Sequence, residues 1–172
     1  MENVKQLFRY LANLEWKERI QHECIFCDRA NFASIVYEDE NLIAIDNIRP
    51  AGQFHWLIMP KLHVIRDIEA LDGEHIPLLQ AMDAVKNTLL EKEFPESPSP
   101  PFILAGYHRG RRPLVHSVYY PDIVSIHHLH LHVIVRPRLA MWLFKYPPWL
   151  SLMWKSDATV MQEITQRATH SG

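Results

Sequence analysis

The sequence predicts an α+β domain with a mainly antiparallel sheet and one long helix. Two short β-type runs, Ser34–Tyr37 and Leu42–Asp46, flank an acidic turn and predict a hairpin. Apolar residues recur at helical spacing from Gly73 to Phe94, which predicts an amphipathic helix. Strict alternation from Ser125 to Val135 predicts a further strand. Strands and helices do not alternate regularly along the chain, so a parallel sheet built from βαβ units is not expected.

The remaining elements follow from the same periodicities. Asn3–His22 is predicted to be helical because apolar side chains recur every three or four positions without Pro or Gly. Phe54–Met59 and Phe102–Gly106 are predicted strands. Tyr107–Asp122 is predicted to be a long polar and basic loop. The tail is rich in tryptophan and methionine, and these side chains are predicted to dock on the domain or to form a subunit interface. The Ala158–Gln166 segment of the tail is predicted to be a helix.

Composition indicates a single globular domain with appendages. The chain has 172 residues, of which 48% are hydrophobic and 22% charged. We divide it into an N-terminal helical extension (1–22), a central domain (23–138) and a C-terminal tail with a short helix (139–172). The formal net charge of −2 argues against strong nucleic-acid binding. Arginines on both sides of the predicted strand Ser125–Val135 suit an anionic substrate or, equally, a solvated loop. No apolar run is long enough to predict a membrane span.

The two cysteines, Cys24 and Cys27, form a CxxC pair. The chain starts with a charged amphipathic stretch and not with an apolar signal segment. Both features predict a reducing compartment, cytoplasmic or nuclear, where CxxC is more often a metal clip or a redox pair than a structural disulfide.

The predicted strand at Ser125–Val135 carries the most informative pattern in the chain. With a period of two, His128, His130 and His132 project from one face and the intervening apolar residues from the other. Three imidazoles on one face are a poor packing surface. They suit metal binding, or a nucleophile with groups that handle protons.

The run His128–Ile134 resembles the HφHφHφφ signature of the histidine triad (HIT) superfamily of nucleotide hydrolases and transferases. The resemblance covers about Cys24 to Arg136, because the family's N-terminal blocks also occur here in their usual order: Ile25–Phe26, Tyr37–Glu40, Asp46–Pro50 and His55–His63. The chain is most similar to the Hint branch of nucleoside phosphoramidases, near its third subgroup and the HIT domain of aprataxin. The zinc finger of aprataxin has no counterpart, since no cysteine follows Cys27.

The resemblance implies a HIT-like fold and a reaction at the α-phosphate of an adenosine 5′-monophosphoramidate or an aminoacyl adenylate. His130 would be the nucleophile and would form a nucleotidyl-histidine intermediate, from which water releases AMP. His132 would bind the phosphate oxygens, Ser125 would assist the leaving group, and His55 would orient the nucleophile.

The resemblance also implies a nucleotide pocket. Ile25, Phe26, Ile45 and Ile48 match positions that wall the base, although apolar residues there are equally ordinary core. Asn47 stands where the family usually has the Asp that holds the ribose, so the charge is lost at this position.

Cys24, Cys27, His63 and His128 match four positions that bind structural zinc in some HIT proteins. Spacing alone supports only the CxxC half, and two free cysteines beside a metal-free His128 are the alternative. No organic cofactor is expected.

Three alternatives to the phosphoramidase remain open at this point. One is a deadenylase or a dinucleoside-polyphosphate hydrolase of the same superfamily. The second is a nucleotide-binding or protein-interaction module that acts through its aromatic tail. The third is a catalytic metal site formed by the three histidines of the strand. The expected partners are AMP conjugates and a second copy of the chain, since Hint-like proteins commonly dimerise through the long helix and the adjoining strand.

Overall fold

A computed structural model describes residues 24–63, 65–95, 101–115, 118–120 and 122–170. The helix predicted at Asn3–His22 lies outside these residues, and the division of the chain into three parts stays a prediction. The strands are β1 (Ile35–Glu38), β2 (Leu42–Asp46), β3 (Phe54–Pro60), β4 (Ile103–His108), β5 (Arg112–Val115), β6 (Val118–Tyr120), β7 (Leu131–Val135) and β8 (Trp154–Ser156). The helices are α1 (Ile76–Glu93), α2 (Leu139–Phe144) and α3 (Asp157–His170).

Six strands form one antiparallel sheet in the order β1-β2-β3-β7-β4-β8, and β5 and β6 form a separate hairpin. The predicted α+β class, the β1–β2 hairpin and the long helix are therefore confirmed. Helix α1 begins at Ile76 instead of Gly73, because Gly73–His75 forms a 3-10 turn that the Asp72 side chain caps. No helix among the described residues is both long and apolar enough to cross a bilayer.

The two faces of the sheet bury different residues, as a period of two requires. In β2, Leu42 and Ala44 join the main core, which α1 and α3 cover with six buried apolar side chains: Leu79, Met82, Val85, Leu89, Val160 and Ile164. Ile43 and Ile45 face the other way and pack with Phe26. This second face is the one on which the histidines lie.

The predicted strand Ser125–Val135 is wrong at its start, since β7 begins only at Leu131. The backbone before β7 forms hydrogen bonds within its own segment and with the loop that contains Ile65. The His128 amide donates to the Ile126 carbonyl, and the Leu129 amide donates to the Ile65 carbonyl. These groups are therefore not available for a strand ladder. The alternation of faces nevertheless holds, because Leu129 enters the main core while His128 and His130 contact Phe26 on the other side.

The prediction of a loop at Tyr107–Asp122 is also wrong. Its first two residues extend β4, and Arg112–Tyr120 contains the β5–β6 hairpin. Arg112 stacks on Tyr120, with 4.4 Å from its guanidinium carbon to the ring centroid. Arg111 stacks in the same way on Tyr119. The arginines gave this stretch the composition of a loop, although two of them cover tyrosines across the hairpin.

The tryptophan-rich tail returns to the sheet. Strand β8 pairs with β4, and Trp154 is buried with 1% of its surface exposed. Helix α3 spans Asp157–His170, longer than the predicted Ala158–Gln166, and its Val160 and Ile164 lie in the main core. Strand β4 is consequently hydrogen-bonded on both sides, to β7 and to β8.

Gly106 is required for the tail to dock. A Cβ atom at this position would lie 2.3 Å from the Lys155 carbonyl oxygen and 2.8 Å from the Trp154 ring. We expect Gly106→Ala to lower the free energy of unfolding by about 2–3 kcal/mol. Thermal melts should show a fall in Tm of about 5–10 °C, with faster amide exchange in β8. An unchanged Tm together with protected β8 amides would contradict this packing.

Candidate active site

A cavity of about 530 Å³ opens on the histidine-bearing face of the sheet. Its apolar lining includes Phe26, Ile45 and Leu57, and its polar lining includes His130 and His132. This combination of an apolar pocket with a few convergent polar groups is typical of a small-molecule site.

His130 presents one ring nitrogen for chemistry. Its Nδ1 lies 2.6 Å from the His128 carbonyl oxygen, which can only accept, so Nδ1 carries the proton and donates. The Nε2 atom therefore keeps its lone pair. Burial lowers the pKa of His130 to about 4, so the imidazole is neutral near pH 7. The ring also lies edge-on to Phe26, with 5.2 Å between the centroids.

The tautomers of His55 and His132 follow from a chain of hydrogen bonds. The Ala51 amide donates to His55 Nδ1 at 3.1 Å, so in the neutral imidazole the proton of His55 is on Nε2. His55 Nε2 lies 2.9 Å from His132 Nδ1 and donates to it. The proton of His132 is thus on its own Nε2, a buried atom that finds no partner among the described residues. A lone pair on His130 and an N–H donor on His132 line the same cavity.

His108 is a site residue that the sequence reasoning missed. It ends β4 and lines the cavity, with its ring centroid 5.0 Å from that of His132. Burial, and then the neighbouring His130, lower the pKa of His108 to about 4. The assignment of Tyr107–Asp122 to a loop concealed it. The available signal was its position two residues after the predicted strand Phe102–Gly106, where it could face the histidines of a neighbouring strand.

The predicted nucleotide-binding residues all line the cavity: Ile25, Phe26, Ile45, Asn47 and Ile48. Ile48 is 83% exposed and Ile25 about half exposed, so these two form the rim. Ser125 also lines this cavity and is exposed.

Asn47 connects the rim to the histidines. Its Oδ1 accepts from the Arg49 amide at 2.9 Å, which leaves its Nδ2 facing His55 Nε2 at 3.3 Å. Because His55 Nε2 carries a proton, two donors meet there, and this contact does not stabilise the site. A carboxylate at this position would accept from both groups.

A second constellation lies beside the histidines of the cavity. The ligand atoms of Cys24, Cys27, His63 and His128 all lie within 4.8 Å of one another. Cys27 Sγ is 3.3 Å from His63 Nδ1 and 3.7 Å from His128 Nδ1, and Cys24 Sγ is 3.6 Å from His128 Nδ1. Tetrahedral zinc with ordinary bond lengths separates a sulfur from a nitrogen ligand by about 3.6 Å.

The neighbours of His128 prepare it as a ligand. Its Nε2 donates to the Pro60 carbonyl oxygen at 2.7 Å, which leaves Nδ1 unprotonated and directed at the cysteines. The donor set therefore fits structural zinc. His128 belongs to this cluster, so it does not share a metal site with His130 and His132 among the described residues.

Stability should depend on pH through the buried imidazoles. Burial, and then the Lys145 charge, lower the pKa of His55 to about 3, whereas the unfolded value is near 6.5. As the pH falls, His55 is protonated first in the unfolded chain. Its contribution to the free energy of unfolding is therefore fully present above pH 6.5 and is lost as the pH drops towards 3. We expect His55 alone to remove about 2 kcal/mol of stability by pH 5. Urea melts at pH 8 and pH 5 measure this loss, and equal midpoints would contradict it.

Comparisons with known proteins agree with the geometry. Residues 21–145 match the family described as "Scavenger mRNA decapping enzyme C-term binding". The bifunctional adenosine 5′-phosphosulfate phosphorylase/adenylylsulfatase HINT4 of Arabidopsis thaliana is 30% identical over 128 residues, 72% of this chain and 77% of the relative. The adenosine 5′-monophosphoramidase HINT3 of Xenopus tropicalis is 32% identical over 127 residues, 72% and 74% of the two chains. The structure of the aprataxin ortholog Hnt3 in complex with DNA is similar in fold, with a TM-score of 0.53 and 17% identity over 84% of this chain and 74% of Hnt3.

The family match covers more than half of this chain. The chain therefore belongs to the scavenger decapping C-terminal family of the histidine triad superfamily. It is a nucleotide hydrolase of the HIT type, as its relatives and its site both support.

Proposed function

We propose that this hydrolase cleaves adenosine 5′-monophosphoramidates and aminoacyl adenylates at the α-phosphate and releases AMP. The observation that supports this most is the pair of fixed tautomers. His130 Nε2 offers a lone pair, and His132 Nε2 offers a proton, to the same cavity. A nucleophile and a donor for phosphate oxygens are what phosphoryl transfer through a covalent intermediate needs.

The reaction would proceed in two displacements. His130 Nε2 attacks the α-phosphorus, and the bond from phosphorus to the leaving group breaks. The Ser125 hydroxyl, on the cavity wall, gives its proton to a departing amine, whereas a carboxylate leaves without one. Water then attacks the phosphorus and the bond to His130 breaks. The proton that water loses returns to Ser125, or goes to solvent when the leaving group was a carboxylate, and AMP leaves. His132 donates to a non-bridging oxygen in both steps, and His55 holds the tautomer of His132.

The base of the nucleotide would pack on the apolar lining of the cavity. Phe26 and Ile45 are buried walls for the base, and Ile25 and Ile48 close the rim. Asn47 would contact the ribose with a neutral amide, so binding of the sugar lacks the charge–dipole attraction that a carboxylate gives.

We also propose that Cys24, Cys27, His63 and His128 hold one structural zinc ion. Zinc at this position would fix the turn at residues 24–27 to the segment that carries His130. With four protein ligands the ion keeps no open coordination position, so it would support the site without taking part in the reaction.

The test is a panel of substrates at equal concentration: adenosine 5′-monophosphoramidate, an aminoacyl adenylate, a diadenosine polyphosphate and a 5′-adenylated DNA. We expect the first two to have the highest kcat/KM, with AMP as the product. A preference for the diadenosine polyphosphate or the adenylated DNA would instead assign the protein to the other hydrolase classes of the superfamily. Binding of AMP without turnover of any of the four would favour a nucleotide-binding module.

The predicted homodimer stays a proposal. Strand β4 already has neighbours on both sides, and α1 packs against α3 through the main core. A second copy of the chain would therefore have to bind elsewhere than at the β4 edge. Light scattering of the purified protein measures the mass in solution.

A further inference from the structure

Lys145 is exposed and forms part of the cavity wall near the histidines. It follows α2, and its amide is anchored to the Met141 carbonyl at 3.0 Å. Its ammonium lies 5.4 Å from the centroid of the Tyr146 ring, and that ring is in turn 5.4 Å from the ring of His132. Within the described part of the chain, no carboxylate forms an ion pair with Lys145. None of the described carboxylates therefore neutralises this charge.

Three permanently charged residues line the cavity among those that the structure describes: Asp46, Arg49 and Lys145. Asp46 and Arg49 flank Asn47, the residue proposed to contact the ribose. Lys145 instead precedes Tyr146, whose ring contacts those of His132 and His108. Its field reaches the site, since it contributes, after burial, to the lowered pKa of His55. An anion placed beside the histidines would meet an ammonium group that has no ion-pair partner within the described part of the chain.

The leaving group is the part of the substrate that would lie beside Lys145 and the histidines. When sulfate or phosphate departs, the bond from the α-phosphorus to the bridging oxygen breaks, and the electron pair stays on that oxygen. The bond from phosphorus to His130 Nε2 forms at the same time, and no proton is required. The amino group of a phosphoramidate, in contrast, must gain a proton to leave as ammonia. His55 and His108 are neutral, with pKa values of about 3 and 4, so neither supplies a cationic acid.

We propose that Lys145 is a specificity-determining residue that raises kcat/KM for nucleotidyl substrates with an oxyanion leaving group, sulfate or phosphate, relative to kcat/KM for phosphoramidates. This inference rests on the proposed function and specifies the leaving group for the same site. Lys145 binds the departing oxyanion as its negative charge increases. The phosphoramidate, whose leaving group is uncharged, gains much less from this ammonium.

The experiment measures kcat/KM for two substrates that share the adenosine 5′-phosphoryl group. Adenosine 5′-phosphosulfate has an anionic leaving group, and adenosine 5′-monophosphoramidate has an uncharged one. The variants are Lys145→Met, which keeps the length of the chain, and Lys145→Arg, which keeps the charge. Lys92→Met is the matched control, because Lys92 is exposed on α1 and lies outside the cavity wall. Circular dichroism verifies that each variant is folded.

We expect Lys145→Met to lower the ratio of kcat/KM for phosphosulfate to that for phosphoramidate by about tenfold. Lys145→Arg should retain most of the ratio, and Lys92→Met should not change it. The wild-type rate on phosphosulfate should also fall with ionic strength more steeply than that of Lys145→Met. An unchanged ratio in folded Lys145→Met overturns the inference while the proposed function stands. Hydrolysis of neither substrate by the wild type overturns the proposed function, and the inference with it.

Discussion

Replacing His130 with alanine is expected to lower kcat for adenosine 5′-monophosphoramidate by at least about a thousandfold. The substitution removes the proposed nucleophile, and His132 is not prepared to replace it. The Nδ1 atom of His132 accepts from His55, and its Nε2 carries a proton. KM should change far less than kcat, because the proposed nucleoside contacts are with Phe26, Ile45 and Asn47. Steady-state assays of AMP release measure both constants.

His127→Ala is the matched control for this prediction. His127 lies in the same histidine run, but it contacts Asp122 at 2.9 Å and does not line the cavity. Its replacement should leave kcat within about twofold of the wild-type value. Comparable losses in the two variants would indicate that the histidine run acts through its structure and not through a nucleophile at His130.

Loss of one cysteine ligand should have the largest effect on stability. Cys27 is exposed, and an exposed side chain without a special role changes stability by less than about 0.5 kcal/mol when it is replaced. If Cys27 binds zinc, Cys27→Ala should instead lower the free energy of unfolding by about 3 kcal/mol or more. The corresponding fall in Tm is about 6–12 °C. Metal analysis should find one zinc per wild-type chain and much less in the variant.

A strong chelator provides an independent measurement of the same effect. It should lower the Tm of the wild type towards that of Cys27→Ala and leave the variant nearly unchanged. A wild-type protein without zinc, or a variant as stable as the wild type, would contradict the zinc proposal and leave two reduced cysteines beside His128.

The periodicity of the histidine run was sufficient to predict which side chains share a face. Apolar alternation placed Leu129 and Leu131 in the main core, and the structure confirms this. It could not predict that the strand begins only at Leu131. That boundary depends on long-range hydrogen bonds, such as the one from the Leu129 amide to Ile65, which leave no pattern in the local sequence.

The contribution of the tail to the site was not predictable from the sequence. Strand β8 has three residues, too few for a periodic signal, and its partner is some fifty positions away in β4. Tyr146 and Lys145 reach the cavity only because this pairing returns the tail to the sheet. The four candidate zinc ligands were predicted by resemblance to the superfamily and lie together. The protonation states of His55, His130 and His132 required the partners that the fold supplies.

The covalent intermediate is the most direct test of the account. The wild type would be mixed with adenosine 5′-monophosphoramidate, quenched in the first turnover under conditions that preserve phosphoramidate bonds, and digested for mass spectrometry. We expect one adenylyl group on the peptide that contains His130, located on that residue by fragmentation, and none in His130→Ala. An adenylyl group on a different residue, or full turnover by His130→Ala, would contradict the assignment of His130 as the nucleophile.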